Sequence, residues 1–183
     1  MKLPLIALLL SLLAACSSTS QVNYYQLSQV VAEAATPDKD AAGLYIAPVQ
    51  VASYLSGRSL VMQLSDVELV LTKQHLWAEP VELQIQRLLR DELALKTTKY
   101  SVLLQPTANA LVVNIQIDRF HGLADGSALL SGRYSLSQHG HTDITKPFVI
   151  KQPLTDDGYS ALVNALSLAV QQLCANIASQ LPA

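Results

Sequence analysis

The 183-residue chain is poor in aromatic residues (5%), in charge (14%) and in cysteine, of which it has two. Each shortage excludes something. Lys and Arg total 12 against 14 Asp and Glu, with no basic run. Nucleic acid is therefore not the main partner, because phosphate binding needs clustered cations. Two cysteines cannot build a disulfide scaffold. Seven Gly and eight Pro are too few for a fibrous or disordered chain. What is abundant is aliphatic sequence, since half of the residues are hydrophobic. The length suits one domain with small appendages.

The amino terminus reads MKLPLIALLLSLLAAC. Lys2 supplies a positive start, Leu5–Leu13 is an apolar run broken only by Ser11, and small residues follow. This is the layout of a signal peptide over residues 1–15, too short to span a membrane as a mature helix. Leu13-Ala14-Ala15-Cys16 resembles the bacterial lipobox, which implies a diacylglyceryl thioether on Cys16, cleavage before it, and acylation of the new amine by palmitate or a similar chain. One buried chain anchors only marginally, whereas two or more hold firmly. Ser17 after the cysteine favours the outer over the inner membrane in enterobacterial-type sorting. Removing fifteen residues from 183 leaves 168, and losing Lys2 leaves 11 basic against 14 acidic groups, a net of −3. Residues 16–22 form a short polar tether. Its seven steps from Cys16 to Asn23 reach at most ~25 Å, which holds the domain close to its membrane. Cys174, the remaining thiol, lies beside an apolar helix stripe and reads as buried and inert.

Residues 23–183 read as a single α+β domain. Strands are expected at Asn23–Ser28, Leu44–Val51 (with Pro48 at an edge or bulge), Leu60–Leu64 and Val67–Thr72, the last two as a hairpin through Ser65-Asp66. Residues 35–43 form a polar loop, and Tyr54–Arg58 a turn. Val81, Ile85, Leu88 and Leu89 recur at helical spacing within Glu79–Leu95, opened by Pro80. Tyr100–Leu104 begins a meander. Leu111, Val113, Ile115 and Ile117 alternate with polar or outward residues. Asp125-Gly126 turns the chain into Ala128–Gln138, His139-Gly140-His141 forms another turn, and Asp143–Lys151 is the last strand. Asp156 or Asp157 caps a closing helix to about Gln180, with the stripe Tyr159, Leu162, Val163, Leu166, Val170, Leu173, Ile177 and Leu181. The expected architecture is a mixed, mainly antiparallel sheet packed by two amphipathic helices.

Catalytic and cofactor motifs are missing. There is no G-x-S-x-G elbow, no Walker loop and no G-x-G-x-x-G. A zinc centre needs three or four convergent ligands. His139 and His141 make only a turn pair, while His75 and His121 stand alone. Asp156-Asp157 is accounted for by a helix start. No catalytic residue, metal site or cofactor is assigned, and an enzyme is not expected.

Several stretches in a fixed order resemble one family. They are the lipobox, Tyr24-Tyr25-x-Leu27, Ile46-Ala47-Pro48-Val49-x-Val51, Tyr54-Leu55-x-x-Arg58-x-x-Val61, Trp77-Ala78-Glu79-Pro80, Val113-x-Ile115-x-Ile117-x-x-Phe120, and the terminal amphipathic helix. The chain is similar to the PqiC-type (YmbA-like) ABC-type transport auxiliary lipoproteins over nearly its whole mature length. It departs at Ser56-Gly57, where members often carry an acidic residue directly before the arginine.

The resemblance implies a non-enzymatic outer-membrane lipoprotein on the periplasmic face. It would serve as the docking piece of an intermembrane lipid transport system that maintains membrane integrity. Its implied partners are a periplasm-spanning MCE-domain protein (PqiB-like) and that protein's inner-membrane component. A homo-oligomeric ring of copies would offer a collar to the symmetric end of the MCE tube. Tyr54, Leu55, Arg58 and Met62 are the candidate partner interface, because aromatic and apolar anchors dominate interfaces. The competing reading puts Tyr54 and Leu55 in the core of a β-rich turn, and Trp77 reads as a packing residue. Alternative functions are an envelope regulatory lipoprotein binding a cell-wall synthase or Tol-type partner, and a lipid carrier with a cavity between sheet and helix.

Overall fold

The computed structural model describes residues 21–28, 35–138 and 144–182. Its elements are β1 (Asn23–Tyr25), β2 (Ala42–Ile46), β3 (Gln50–Val51), a 3-10 turn (Ser53–Leu55), β4 (Ser59–Ser65), β5 (Glu68–Trp77), α1 (Val81–Lys96), β6 (Tyr100–Leu103), β7 (Leu111–Leu123), β8 (Ser127–Ser137), β9 (Ile144–Pro153) and α2 (Tyr159–Ala178). The expected α+β class, with two helices on a mixed sheet, is the one observed. The sheet has nine strands among the described residues.

β7 is the spine. On one side it pairs antiparallel with β8 along its full length, and β8 pairs with β9. On the other side β2, β3 and β4 lie beside it in succession, all parallel, at Leu44↔Leu111, Gln50↔Gln116 and Met62↔Gly122. These three are one interrupted strand. Pro48, which has no amide hydrogen to give a ladder, sits at the first interruption, as an edge or bulge proline should. The 3-10 turn makes the second interruption. The long ladders are antiparallel as expected, but this broken edge adds short parallel pairings that local patterning did not show.

Several boundaries differ from expectation: β1 ends at Tyr25 rather than Ser28, the Leu44–Val51 strand is split into β2 and β3, and β5 runs to Trp77 rather than Thr72. β7 runs on to Leu123 because a bulge between Ile117 and Arg119 reverses the alternation and lets Phe120 face inward. Gly132 lies opposite this bulge. A Cβ there would sit 2.0 Å from the Gln116 carbonyl oxygen, so the backbone approach requires glycine. At α2, neither aspartate supplies the expected cap. The N-cap is Gly158 at φ 93°, with no side-chain cap bond, a conformation that L side chains rarely adopt. The expected His139-Gly140-His141 turn lies outside the described residues.

The helices cover one face of the sheet. Leu162, Leu166, Val170, Leu173 and Ile177 of α2 are buried with Ile85, Leu89 and Leu93 of α1 against Val113, Ile115, Ile117 and Leu130. Burying each such side chain contributes roughly 1.5–3 kcal/mol. α2 is long and apolar enough to cross a membrane by composition, but it is mostly buried against the sheet and serves as a core helix. The residues after β1 are tied to both helices. The Leu27 amide donates to Gln84 Oε1 (2.8 Å) on α1, and the Ser28 amide donates to Ser167 Oγ (2.9 Å) on α2. Trp77 is 2% exposed and stacks on Phe120 at 5.9 Å, so it packs as expected.

Candidate functional site

Three chain reversals meet at the carboxyl end of β7. They are the β4–β5 hairpin turn at Asp66-Val67, the β7–β8 turn at Ala124–Gly126, and the passage from β9 into α2. β4 places its hairpin there because Met62 and Gln63 pair with Gly122 and Leu123. Gly126, at φ 77°, closes the neighbouring turn as the Asp125-Gly126 pair predicted.

Two hollows flank the root of the hairpin. On the helix side, about 250 Å³ is lined by Met62, Leu123, Leu154, Tyr159 and Leu162, a mostly apolar wall. On the open side, about 370 Å³ is lined by Gln63, Leu64, Asp66, Arg119, Asp125 and Leu129. Beyond them the hairpin carries Val67, 96% exposed, with Leu64, Leu69, Val70 and Leu71 each 39–51% exposed. His75 and Tyr159 fasten the hairpin base to α2. Their rings stack at 3.8 Å, and Tyr25 hydrogen-bonds His75 Nδ1 at 2.9 Å.

The four candidate interface residues have different fates. Leu55 is 2% exposed and belongs to the core, which leaves it no surface to offer a partner in this fold. Tyr54 is half-buried. Its hydroxyl donates to the Asp118 carbonyl at 3.0 Å, and its ring tilts over His121 at 6.4 Å. Arg58 donates to the Trp77 and Ala78 carbonyls (3.1 and 2.5 Å) and lies over the Tyr24 ring at 5.5 Å. It thus clamps the junction of β5 and α1 with no acidic neighbour preceding it. Met62 alone borders a hollow, and its sulfur fills the space left by Gly122. Val67 and Leu69–Leu71 were not singled out from sequence. Their signal was there: the run Val67-Glu68-Leu69-Val70-Leu71 has three successive aliphatics where a half-exposed strand would alternate.

Few titratable groups are shifted here. Asp125 accepts from Lys151 Nζ (2.6 Å) and Ser127 Oγ (2.5 Å), and these bonds hold its carboxyl below the usual range. Burial lowers the pKa of His121, reinforced by nearby Arg119 and opposed by its bond to the Gly122 carbonyl. Burial also pushes the Cys174 thiol up to about 12, with Glu92 adding to the effect and Lys96 opposing it, so this thiol is unreactive near neutrality. Among the described residues no three His, Cys, Asp or Glu side chains are placed to hold a metal. Apolar contact is what this end of the molecule has to offer.

Residues 25–178 match the family described as the ABC-type transport auxiliary lipoprotein component. The chain belongs to this family. The family is one of transport lipoproteins, not of enzymes. The chain is 33% identical over 174 residues to the Escherichia coli K12 protein named intermembrane transport lipoprotein PqiC, covering 92% of this chain and 91% of the relative. A Shigella flexneri protein of the same name matches equally. A crystal structure described only as an uncharacterized protein superposes with TM-score 0.78 at 30% identity, covering 87% of this chain and 98% of the other. A Xanthomonas campestris crystal structure shares the fold at TM-score 0.67 and 16% identity, over 85% and 92% of the two chains. An auxiliary lipoprotein of intermembrane transport, associated with a membrane, is therefore the family setting of this chain.

Proposed function

We propose that the protein is an outer-membrane lipoprotein anchored through Cys16 on the periplasmic face. There it docks the far end of an MCE-domain, periplasm-spanning transport protein (PqiB-like) whose inner-membrane component completes the system. The observation that carries this reading is the family match over the whole folded domain together with the Leu13–Cys16 lipobox. The fold supports an accessory over a carrier role, since α2 packs directly on the sheet and the hollows at the hairpin are open. Of the four candidate interface residues, Met62, which borders the helix-side hollow, is the one assigned to the partner contact in this reading. A ring of copies would match a symmetric tube end.

The test is affinity isolation of the lipidated protein from detergent-solubilised membranes, followed by mass spectrometry. An MCE-domain protein in the eluate is expected. Recovery of a cell-wall synthase or Tol-type protein in its place overturns the docking reading in favour of a regulatory one.

A further inference from the structure

The β4–β5 hairpin lacks the polar face that a strand pair lying on a sheet or protein surface requires. Met62 opposes Val70 on one face, and Leu64, at the bulge between Gln63 and Ser65, is exposed. Gln63 opposes Leu69 on the other face, where Leu71 also lies. Val67 stands alone at the turn. Apolar side chains exposed on both faces and at the tip suit immersion in an apolar medium better than a one-sided contact.

The amino-terminal chain leads to the same place. β1 pairs parallel with β5 at Asn23↔His75 and Tyr25↔Trp77. Residues before Asn23 therefore enter from the side of the hairpin turn. From His75 back to Val67 is eight residues, at most about 27 Å of strand. From Asn23 back to Cys16 is seven, at most about 25 Å. Fully extended, the chain before β1 thus brings Cys16 to within about 2 Å of the level of the hairpin tip.

We infer that the β4–β5 hairpin is a second membrane contact, with Val67, Leu64 and Leu69–Leu71 seated in the interface of the bilayer that holds the lipid anchor. This rests on the reading of Cys16 as the acylated residue. One anchored point leaves a domain free to tumble, whereas two fix its orientation, and shallow burial of apolar side chains adds to the hold of the acyl chains. Asp66 and Glu68, exposed beside Val67, limit the depth to the headgroup level. They also favour ammonium-bearing phosphatidylethanolamine over anionic phosphatidylglycerol.

The experiment uses the full lipidated chain in phosphatidylethanolamine-rich vesicles, with Val67→Trp as reporter, Leu64→Trp as a second reporter should the first misfold, and Val149→Trp, on exposed β9, as control. Fluorescence of the wild type, with buried Trp77, is subtracted. Acyl chains brominated near the headgroup are expected to quench the hairpin reporter about twofold while leaving the β9 control unchanged, as shallow insertion requires. Weaker quenching in phosphatidylglycerol vesicles supports the headgroup preference. Wild-type protein that floats with the vesicles while both hairpin reporters stay unquenched overturns the contact and leaves the anchor standing. A Cys16 that takes up no palmitate label overturns both. A blue shift that needs only higher protein concentration, or only an added MCE protein, assigns the hairpin to a second copy or to that partner, and overturns the bilayer contact.

Discussion

β7 and the β4–β5 hairpin belong to one sheet, yet they treat water in opposite ways. Along β7, Leu111, Val113, Ile115 and Ile117 are buried under the helices while Asn114 and Gln116 face solvent. Along the hairpin, aliphatic side chains are exposed on both faces and at the turn. The first pattern is what a strand needs when one face has a core and the other has water. The second makes no sense for stability alone, because exposed aliphatics gain little from folding. Apolar surface that the core does not use is surface kept for another contact. The contrast separates the part of the molecule that holds the fold from the end that the bilayer contact inferred above would use.

Substitutions should divide along the same line, and the largest effect is expected in the folding half. Gly132→Ala forces a Cβ into the Gln116 carbonyl and should cost at least about 3 kcal/mol, read as a collapse of the thermal transition or of soluble yield. Leu173→Ala, at a fully buried position on α2, should lower stability by about 2–5 kcal/mol in urea titration. Gln84→Ala strands the buried Leu27 amide and should cost about 1–3 kcal/mol by the same measurement.

The pH dependence comes next. His121 has a folded pKa below its ordinary 6.5, so the unfolded chain takes up its proton first as pH falls. Stability should therefore be level above pH 7 and decline as pH drops through 6.5. Comparing His121→Gln with the wild type at pH 7.5 and 5.5 should show a flatter profile in the variant. The smallest effect on folding belongs to the hairpin. Val67→Ser and Leu69→Ser should shift stability by no more than about 0.5 kcal/mol, while weakening vesicle retention of the lipidated chain. A large loss of melting temperature in these two variants would erase the distinction between the regions.

Much of the fold was legible because periodicity survives where an element has one buried side. α1 and α2 fall within a few residues of the stripes Val81–Leu89 and Tyr159–Ile177. Pro48 and Asp125-Gly126 sit where their backbone chemistry puts them. Less of the candidate site was legible. Tyr54 and Leu55 fitted both an anchor and a core reading, because apolar residues beside a turn have the same local pattern whether they point in or out; Leu55 is core. Only the approach of the Asp118 carbonyl and His121 shows that the Tyr54 hydroxyl and ring are already engaged. Asp156 and Asp157 resembled caps, yet Gly158 makes the turn that starts α2.

By itself the amino-acid sequence determined the helices, most strands, the inert Cys174 and the family resemblance, because these rest on local spacing and on motifs read in order. Tertiary structure alone decided that β2, β3 and β4 form one broken strand along β7. It also decided which aliphatic residues of an apolar run are left uncovered. Pairing between distant segments sets both outcomes, and no local pattern encodes which strand a given edge will meet.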